Sequence, residues 1–238
     1  MNKRNKKILL VTGALVLVVV AILLVYAFGF YLPEQKEKED LARRVREYYE
    51  MKLSLYSEEN EKYNDFEVDV AFIGDSLTDG YDVVNYYPEY LVSNRGIGGE
   101  TTHGLLARLD VSVYQLKPKV LVMLIGANNF NTMFEDYEKL IIGIKQNLPK
   151  TELVICSLTS MGKEWGKNNH LAAFNNVKIK AYAEKHGCYY VDLYTPLLNM
   201  ETNEIYEHYT TDGGHLTPDG YAVLTSNIKP IVDKILEK

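Results

Sequence analysis

Near its start, the chain has a long apolar run that is followed by a strongly charged segment. Residues 8–32 contain no charged side chain, whereas residues 33–64 are rich in Glu and Lys and carry apolar residues at mixed helical spacing. A helix needs about 20 apolar residues to cross the hydrocarbon core of a membrane, so the first segment is long enough, with room to tilt. The second segment predicts a charged, helical stalk.

The rest of the chain alternates between short β-rich apolar runs and longer helical patterns. Alternation of this kind is typical of a parallel sheet that is covered by helices on both faces. We therefore predict an α/β domain over residues 65–238, a flavodoxin-like three-layer α/β/α sandwich with a five-stranded parallel sheet. The predicted strands are Val68–Ile73, Leu91–Ser93, Val120–Ile125, Leu153–Cys156 and Tyr189–Leu193, and the main predicted helices are Phe134–Leu148, His170–His186 and Pro218–Leu236.

The apolar run at 8–32 is either a membrane anchor or a secretory signal peptide. A secretory signal has an apolar region of only about 7–15 residues before its cleavage site, and Val25-Tyr26-Ala27 is a poor cleavage site. We therefore expect an uncleaved signal anchor at 8–32, with a removed signal peptide as the alternative. The basic tail 1–7 favours a cytoplasmic N-terminus, although Lys and Arg also follow the run. The expected protein is single-pass in the cell membrane, with the 65–238 domain extracytoplasmic.

Composition and charge argue against some classes of function. The net charge is −6, and 47% of the residues are hydrophobic, which is ordinary for a globular domain. Nucleic-acid binding would need a concentrated basic face, so we expect no nucleic-acid partner. The chain has 2 cysteines and no Cys/His cluster that would supply a zinc site, so we expect no metal and no cofactor. The oligomeric state is left open.

Four polar turns lie at predicted strand ends, where ligands bind in parallel α/β sheets. Gly74-Asp75-Ser76 can present a serine from a tight turn, and the glycines of Asn94–Thr102 let the backbone point N–H groups at a ligand. The carboxamide in Gly126–Asn129 can donate to an oxyanion. Taken singly, each motif is also compatible with an ordinary turn, loop or helix cap.

The fourth turn, Asp212–His215, has the spacing of a base and the residue that orients it. Asp212 and His215 are three positions apart in a Gly-rich loop. The Asp212 carboxylate can therefore fold back to one imidazole nitrogen of His215, which leaves the other nitrogen for a serine. The remaining histidines show no comparable partner in the sequence. They are His103, His170, His186 and His208.

The four motifs, in this order, resemble the SGNH/GDSL hydrolases over roughly Val68 to the C-terminus. The segments 94–102 and 117–129 are most similar to the branch of the platelet-activating-factor acetylhydrolase subunits, including the Asn-Asn pair that ends at Asn129. The resemblance implies an esterase with Ser76 as nucleophile, His215 as general base and then acid, and Asp212 as the residue that orients His215. It also implies an oxyanion hole made by the N–H groups of Ser76 and Gly99 and by the Asn128 side chain.

The substrate is less well defined than the reaction. We assign Asp75, Asn129 and Trp165 to substrate binding, and we expect Tyr81–Tyr90 to border the site, through either sugar stacking or ordinary packing. Asn175 and Asn176 are either site-supporting residues or solvated helix surface. The expected function is deacetylation of a cell-envelope saccharide. The alternatives are hydrolysis of a lysophospholipid or short-chain lipid ester, and a non-catalytic membrane-anchored binding module.

Overall fold

The computed structural model describes residues 2–237, and the chain divides into two compact units. The first unit ends at Met51 and the second begins at Lys52. The predicted boundary between stalk and domain, at residues 64 and 65, stays a prediction.

The N-terminal segment is helical throughout. Helix α1 spans Lys3–Tyr26, a π-helical turn follows at Ala27–Tyr31, and helix α2 spans Leu32–Asn60. The most apolar part of this segment has a mean hydropathy of 3.3 and none of it is buried. By length and composition it is able to cross a membrane, and a signal sequence near an N-terminus would meet the same criterion.

A five-stranded parallel sheet forms the centre of the second unit, as predicted. Its strand order is β2-β1-β3-β4-β5, so Gly74 at the end of β1 pairs with Gly96 on one side and with Leu124 on the other. The strands are β1 (Val70–Gly74), β2 (Val92–Gly96), β3 (Val120–Leu124), β4 (Glu152–Cys156) and β5 (Tyr189–Val191).

Helices cover both faces of the sheet, which gives the predicted three layers. Successive side chains of a strand point to opposite faces, so Ala71 and Ile73 join one buried apolar cluster while Val70 and Phe72 join the other. The helices of the second unit are α3 (Ser76–Asp79), α4 (Val83–Tyr86), α5 (Thr102–Ala107), α6 (Tyr137–Asn147), α7 (Asn169–Lys185) and α8 (Pro218–Leu236).

Two features of the fold were not predicted. The first is the set of bounds of the helices α3, α4 and α5, each of which is too short to produce a helical period in the sequence. A small antiparallel hairpin follows β5, with strands β6 (Leu198–Asn199) and β7 (Glu204–Ile205). The hairpin backbone contacts the loop after β4, since Ile205 N–H donates to the Met161 carbonyl at 3.1 Å.

Candidate active site

The turn after β1 presents Ser76 at the carboxyl edge of the sheet. Asp75 precedes it and caps α3, because its Oδ1 accepts the Leu77 N–H at 3.1 Å. A side chain at Gly74 would lie 2.0 Å from the Leu124 carbonyl oxygen, so only glycine allows the chain to turn this close to β3.

Asp212, His215 and Ser76 form one continuous chain of hydrogen bonds. Asp212 Oδ2 lies 2.7 Å from His215 Nδ1, and His215 Nε2 lies 3.1 Å from Ser76 Oγ. The other carboxylate oxygen of Asp212 accepts the backbone N–H groups of Gly214 at 2.9 Å and His215 at 2.7 Å. These bonds, the one from the His215 N–H above all, hold the pKa of Asp212 well below its usual range.

This geometry fixes the histidine for proton transfer. An ionised carboxylate can only accept hydrogen bonds, so Asp212 keeps a proton on Nδ1 of His215 and leaves Nε2 free to accept the proton of Ser76. The backbone of the loop is held as well, because Thr210 Oγ1 donates to the His215 carbonyl at 2.7 Å.

Three N–H groups border the same cleft as the Ser76 hydroxyl. Among residues 2–237, no hydrogen-bond acceptor is found for the backbone N–H of Ser76 or of Gly99, whereas the Gly98 N–H donates to Asp79 Oδ2 at 3.1 Å. Asn128 Nδ2 donates one hydrogen to the Glu100 carbonyl at 2.9 Å, which leaves its second amide hydrogen available. Donors gathered in this way can bind the oxyanion of a tetrahedral intermediate.

The cleft has a volume of about 390 Å³. Thr159 and Met161, both buried, come from the loop after β4, and Trp165 comes from the same loop with 43% of its surface exposed. The Trp165 ring packs on the histidine loop, since a Cβ at Gly214 would lie 3.2 Å from Trp165 Nε1. The full lining is Asp75, Ser76, Leu77, Gly98, Gly99, Ala127, Asn128, Thr159, Met161, Trp165, Gly214 and His215.

The three residues assigned to substrate binding lie in different surroundings. Trp165 and Asp75 line the cleft, although Asp75 is only 2% exposed. Asn129 lies outside the lining, and its side chain bonds to Thr102, with Nδ2 2.9 Å from Thr102 Oγ1 and Oδ1 3.4 Å from the Thr102 N–H. In this structure Asn129 connects the loop after β3 to the start of α5.

Sequence reasoning missed a buried ion pair beneath the cleft. Arg108 Nε lies 2.7 Å from Glu100 Oε2, and both side chains are almost completely buried. The same guanidinium donates to the carbonyls of Gly74 at 3.0 Å and Arg95 at 2.9 Å, at the ends of β1 and β2. The arginine and the glutamate are eight positions apart, on either side of the short helix α5, and this spacing gives no pattern that would have revealed the pair.

Buried asparagines hold the loop after β4, so the helix-surface interpretation of Asn175 and Asn176 does not apply. Asn176 accepts from the Leu158 N–H at 2.8 Å and donates to the Leu158 carbonyl at 3.0 Å. Asn169 makes the same pair of bonds with Met161, at 2.8 and 2.7 Å. Asn175 donates to the Phe130 carbonyl at 2.9 Å, in the loop after β3.

The structure also bears on the tyrosines of 81–90 and on the other histidines. Tyr81 and Tyr87 are buried and pack on Phe72, so these rings belong to the core and are not available for sugar stacking. His103 and His186 do have carboxylate partners, Asp136 at 2.9 Å and Glu138 at 2.8 Å, but neither pair includes a serine.

Comparison with known proteins decides the family. The sequence model of the GDSL-like Lipase/Acylhydrolase family matches residues 72–223, which is more than half of the chain. The chain belongs to this GDSL-like family. It is therefore a hydrolase, and the resemblance read from the four motifs is confirmed. The match covers Ser76 and extends past His215, so it includes every loop that lines the cleft.

Relatives of this GDSL-like chain include acetylhydrolases. The platelet-activating factor acetylhydrolase IB subunit alpha2 of Rattus norvegicus is 27% identical over 189 residues, covering 73% of this chain and 80% of that protein. The Homo sapiens counterpart is 26% identical with the same coverage.

Solved structures share the fold of this GDSL-like chain. A GDSL-like lipase from Bacteroides thetaiotaomicron superposes with a TM-score of 0.68 at 24% identity, covering 76% of this chain and 97% of that one. An acetyl xylan esterase from Geobacillus stearothermophilus superposes with a TM-score of 0.58 at 20% identity, covering 71% and 95%.

Proposed function

We propose that this GDSL-like protein is a serine esterase that deacetylates a saccharide of the cell envelope through an acyl-enzyme. The observation that carries the esterase assignment is the unbroken sequence of contacts from Asp212 to His215 to Ser76, 2.7 and 3.1 Å long, at the wall of the cleft. Ser76 is the nucleophile, His215 the general base and then acid, and Asp212 orients the imidazole.

The reaction proceeds in two halves. Ser76 Oγ attacks the ester carbonyl and gives its proton to His215 Nε2, while the N–H groups of Ser76, Gly99 and Asn128 stabilise the oxyanion. The C–O bond to the alcohol then breaks, and His215 returns the proton to the departing oxygen. Water next attacks the acyl-enzyme with His215 again as base, which releases the acid and regenerates the serine.

The cleft and the relatives support a short acyl group. The buried side chains of Thr159 and Met161 line the cleft of about 390 Å³ together with Ser76. The curated relatives are named as acetylhydrolases. An acetyl group fits both observations.

Polar surroundings favour a saccharide as the alcohol. The half-exposed Trp165 ring offers an apolar face with a polar N–H, as sugar rings require. The loop that carries it also forms one wall of a second cavity of about 300 Å³. Lys163, Asn199, Thr202, Glu204, Glu207 and Thr210 supply most of that lining.

Release of acetate or fatty acid by the full chain in detergent tests this proposal. Acetylated oligosaccharides should be hydrolysed faster than lysophospholipids or nitrophenyl esters of octanoate, and Ser76→Ala should abolish turnover without changing the melting temperature. Activity that rises with acyl length would support the lipid esterase instead. Ligand binding without turnover on any ester would indicate the binding module, and full activity in Ser76→Ala would remove the serine mechanism.

The apolar N-terminal helix supports a proposal for the site of action. We propose that residues 8–32 anchor the protein in the cell membrane without cleavage, after the cytoplasmic tail 1–7, and that the stalk 33–64 carries the 65–238 domain outside. Protease added to intact cells should then remove the hydrolase domain while a cytoplasmic control protein survives. Protection of the domain would reverse this orientation.

A further inference from the structure

We propose that Lys52 and Tyr56, on the last turns of α2, are positioning residues for the oxyanion hole. They hold Asp79 and the Gly96 carbonyl in place, and these in turn fix the loop that carries the Gly99 N–H. The inference rests on the proposed function, because it assigns a role to residues that act through the proposed oxyanion donor.

The oxyanion loop is closed by a turn that is built on two glycines. The Glu100 N–H donates to the Ile97 carbonyl at 3.2 Å, across Gly98 and Gly99. Gly98 and Gly99 have no side chains to pack, and Gly99 has φ +77°, in the left-handed region that glycine adopts without strain. Gly99 is also in open surroundings, with no atom within 4 Å of the position a Cβ would take. Fixing such a glycine turn in one orientation costs a large conformational entropy, so contacts from neighbouring residues add to the restraint that the turn itself supplies.

The first restraint is a relay from Lys52 to Gly98. Lys52 Nζ lies 2.7 Å from Asp79 Oδ1, and the other oxygen of the same carboxylate, Oδ2, accepts the Gly98 N–H at 3.1 Å. The Lys52 and Asp79 side chains are only 17% and 20% exposed, so solvent screens this pair less than a surface pair. One carboxylate oxygen of Asp79 therefore contacts Lys52 and the other accepts from Gly98. Lys52 orients the carboxylate that holds Gly98 and neutralises its charge.

The second restraint acts one turn further along α2. Tyr56, 3% exposed, donates its hydroxyl to the Gly96 carbonyl at 2.6 Å. Arg95, the neighbour of Gly96, stacks over the Tyr56 ring with its guanidinium carbon 4.9 Å from the ring centre, and it donates to the Tyr56 carbonyl at 3.1 Å. Glu59 lies 3.4 Å from the same guanidinium. The segment between β2 and Gly99 is therefore held at Gly96 and again at Gly98.

Orientation of the donor matters more for turnover than for substrate binding. An oxyanion-hole N–H interacts most strongly with the charge that develops in the transition state. Removing one such donor outright costs about 10²–10³ in kcat. Loosening a donor that is still present should cost less, so we expect a fall in kcat of about tenfold for Lys52→Met.

A double-mutant cycle on the full chain in detergent tests the relay. Lys52→Met and Asp79→Ala should each lower kcat about tenfold with KM unchanged, and the double variant should be no worse than Asp79→Ala alone, since Lys52 acts through Asp79. Lys52→Arg should restore most of the activity. The exposed Lys62 is the matched control, and Lys62→Met should keep the parental kcat.

Tyr56→Phe tests the second restraint without creating a cavity. It should lower kcat, whereas Tyr63→Phe should not, because no hydrogen bond to the Tyr63 hydroxyl is found among residues 2–237. Active-site titration and melting temperatures separate loss of turnover from loss of folded protein. Parental kcat in both Lys52→Met and Tyr56→Phe, with Ser76→Ala inactive, overturns the positioning role alone. An active Ser76→Ala overturns the proposed function instead.

Discussion

At the scale of single residues, two aspartates near Ser76 differ in the state of their carboxyl groups. Asp212 lies in a half-exposed loop and accepts three hydrogen bonds, which hold its pKa below the usual range. Asp75 is buried, and burial raises its pKa to about 7 even though the Leu77 N–H favours the ionised form. The same side chain thus serves as a charged partner of the histidine in one place and as a helix cap in the other.

Asp212→Asn should lower kcat by about 10⁴ while leaving the fold intact. The amide can donate to Nδ1 of His215, which favours the tautomer with its proton on Nε2, and that nitrogen then cannot accept the proton of Ser76. Steady-state kinetics on a nitrophenyl acetate ester measure the effect. Glu138→Gln, which alters the histidine–carboxylate pair with His186, should retain the parental kcat, and an equal loss there would contradict the assignment.

The stability of Asp75→Asn relative to the parent should increase as the pH rises. The folded-state pKa of about 7 is above the ordinary 3.8, so the stability contributed by Asp75 is complete below about pH 4 and is lost as the pH rises to about 7. The variant should gain about 4 kcal/mol relative to the parent across this window. Chemical denaturation at several pH values checks this, with Asp219→Asn as an exposed control. A pH-independent difference would contradict it.

At the scale of secondary-structure elements, buried polar side chains fix the loops that strands alone would leave loose. Asn176 and Asn169 each bind both backbone groups of one residue in the loop after β4. Arg108 ties the ends of β1 and β2 to Glu100. A network in which every buried polar group is hydrogen-bonded stabilises one arrangement of the loops, because each lost partner leaves a buried polar group unpaired.

Arg108→Met should cost about 3–5 kcal/mol of folding free energy, since the charge of Glu100 would remain buried without its partner. Lys119→Met removes a more exposed pair with Asp69 and should cost less than about 1 kcal/mol. Chemical denaturation of the full chain in detergent compares the two. Similar losses of folding free energy in both variants would contradict the prediction that the buried ion pair contributes more to stability than the exposed one.

At the scale of the whole molecule, two kinds of feature can be predicted from the sequence. One is an element whose ends are marked by local residues, and the other is a site that forms where the ends of several strands meet. Helix α8 has the predicted bounds because Thr217 and Pro218 mark its start locally. The sequence places Ser76 and His215 after predicted strands, which predicts that they meet at one edge of the sheet, and they do so although the hairpin β6–β7 separates His215 from β5. Contacts such as Asp79 with Gly98, or Tyr87 with Phe72, depend on three-dimensional packing of residues that no period relates, so they required the structure.

Truncation of the chain tests where the folded hydrolase unit begins. A chain that begins at Asp65, the predicted domain start, lacks Lys52, Tyr56 and Glu59, so the buried guanidinium of Arg95 loses the partners that α2 supplies. Each buried polar group left unpaired costs about 1–3 kcal/mol. We therefore expect a chain that begins at Pro33 to unfold at a distinctly higher denaturant concentration than one that begins at Asp65. Equal midpoints would mean that the last turns of α2 add nothing to the folded unit, and that residues 65–238 suffice.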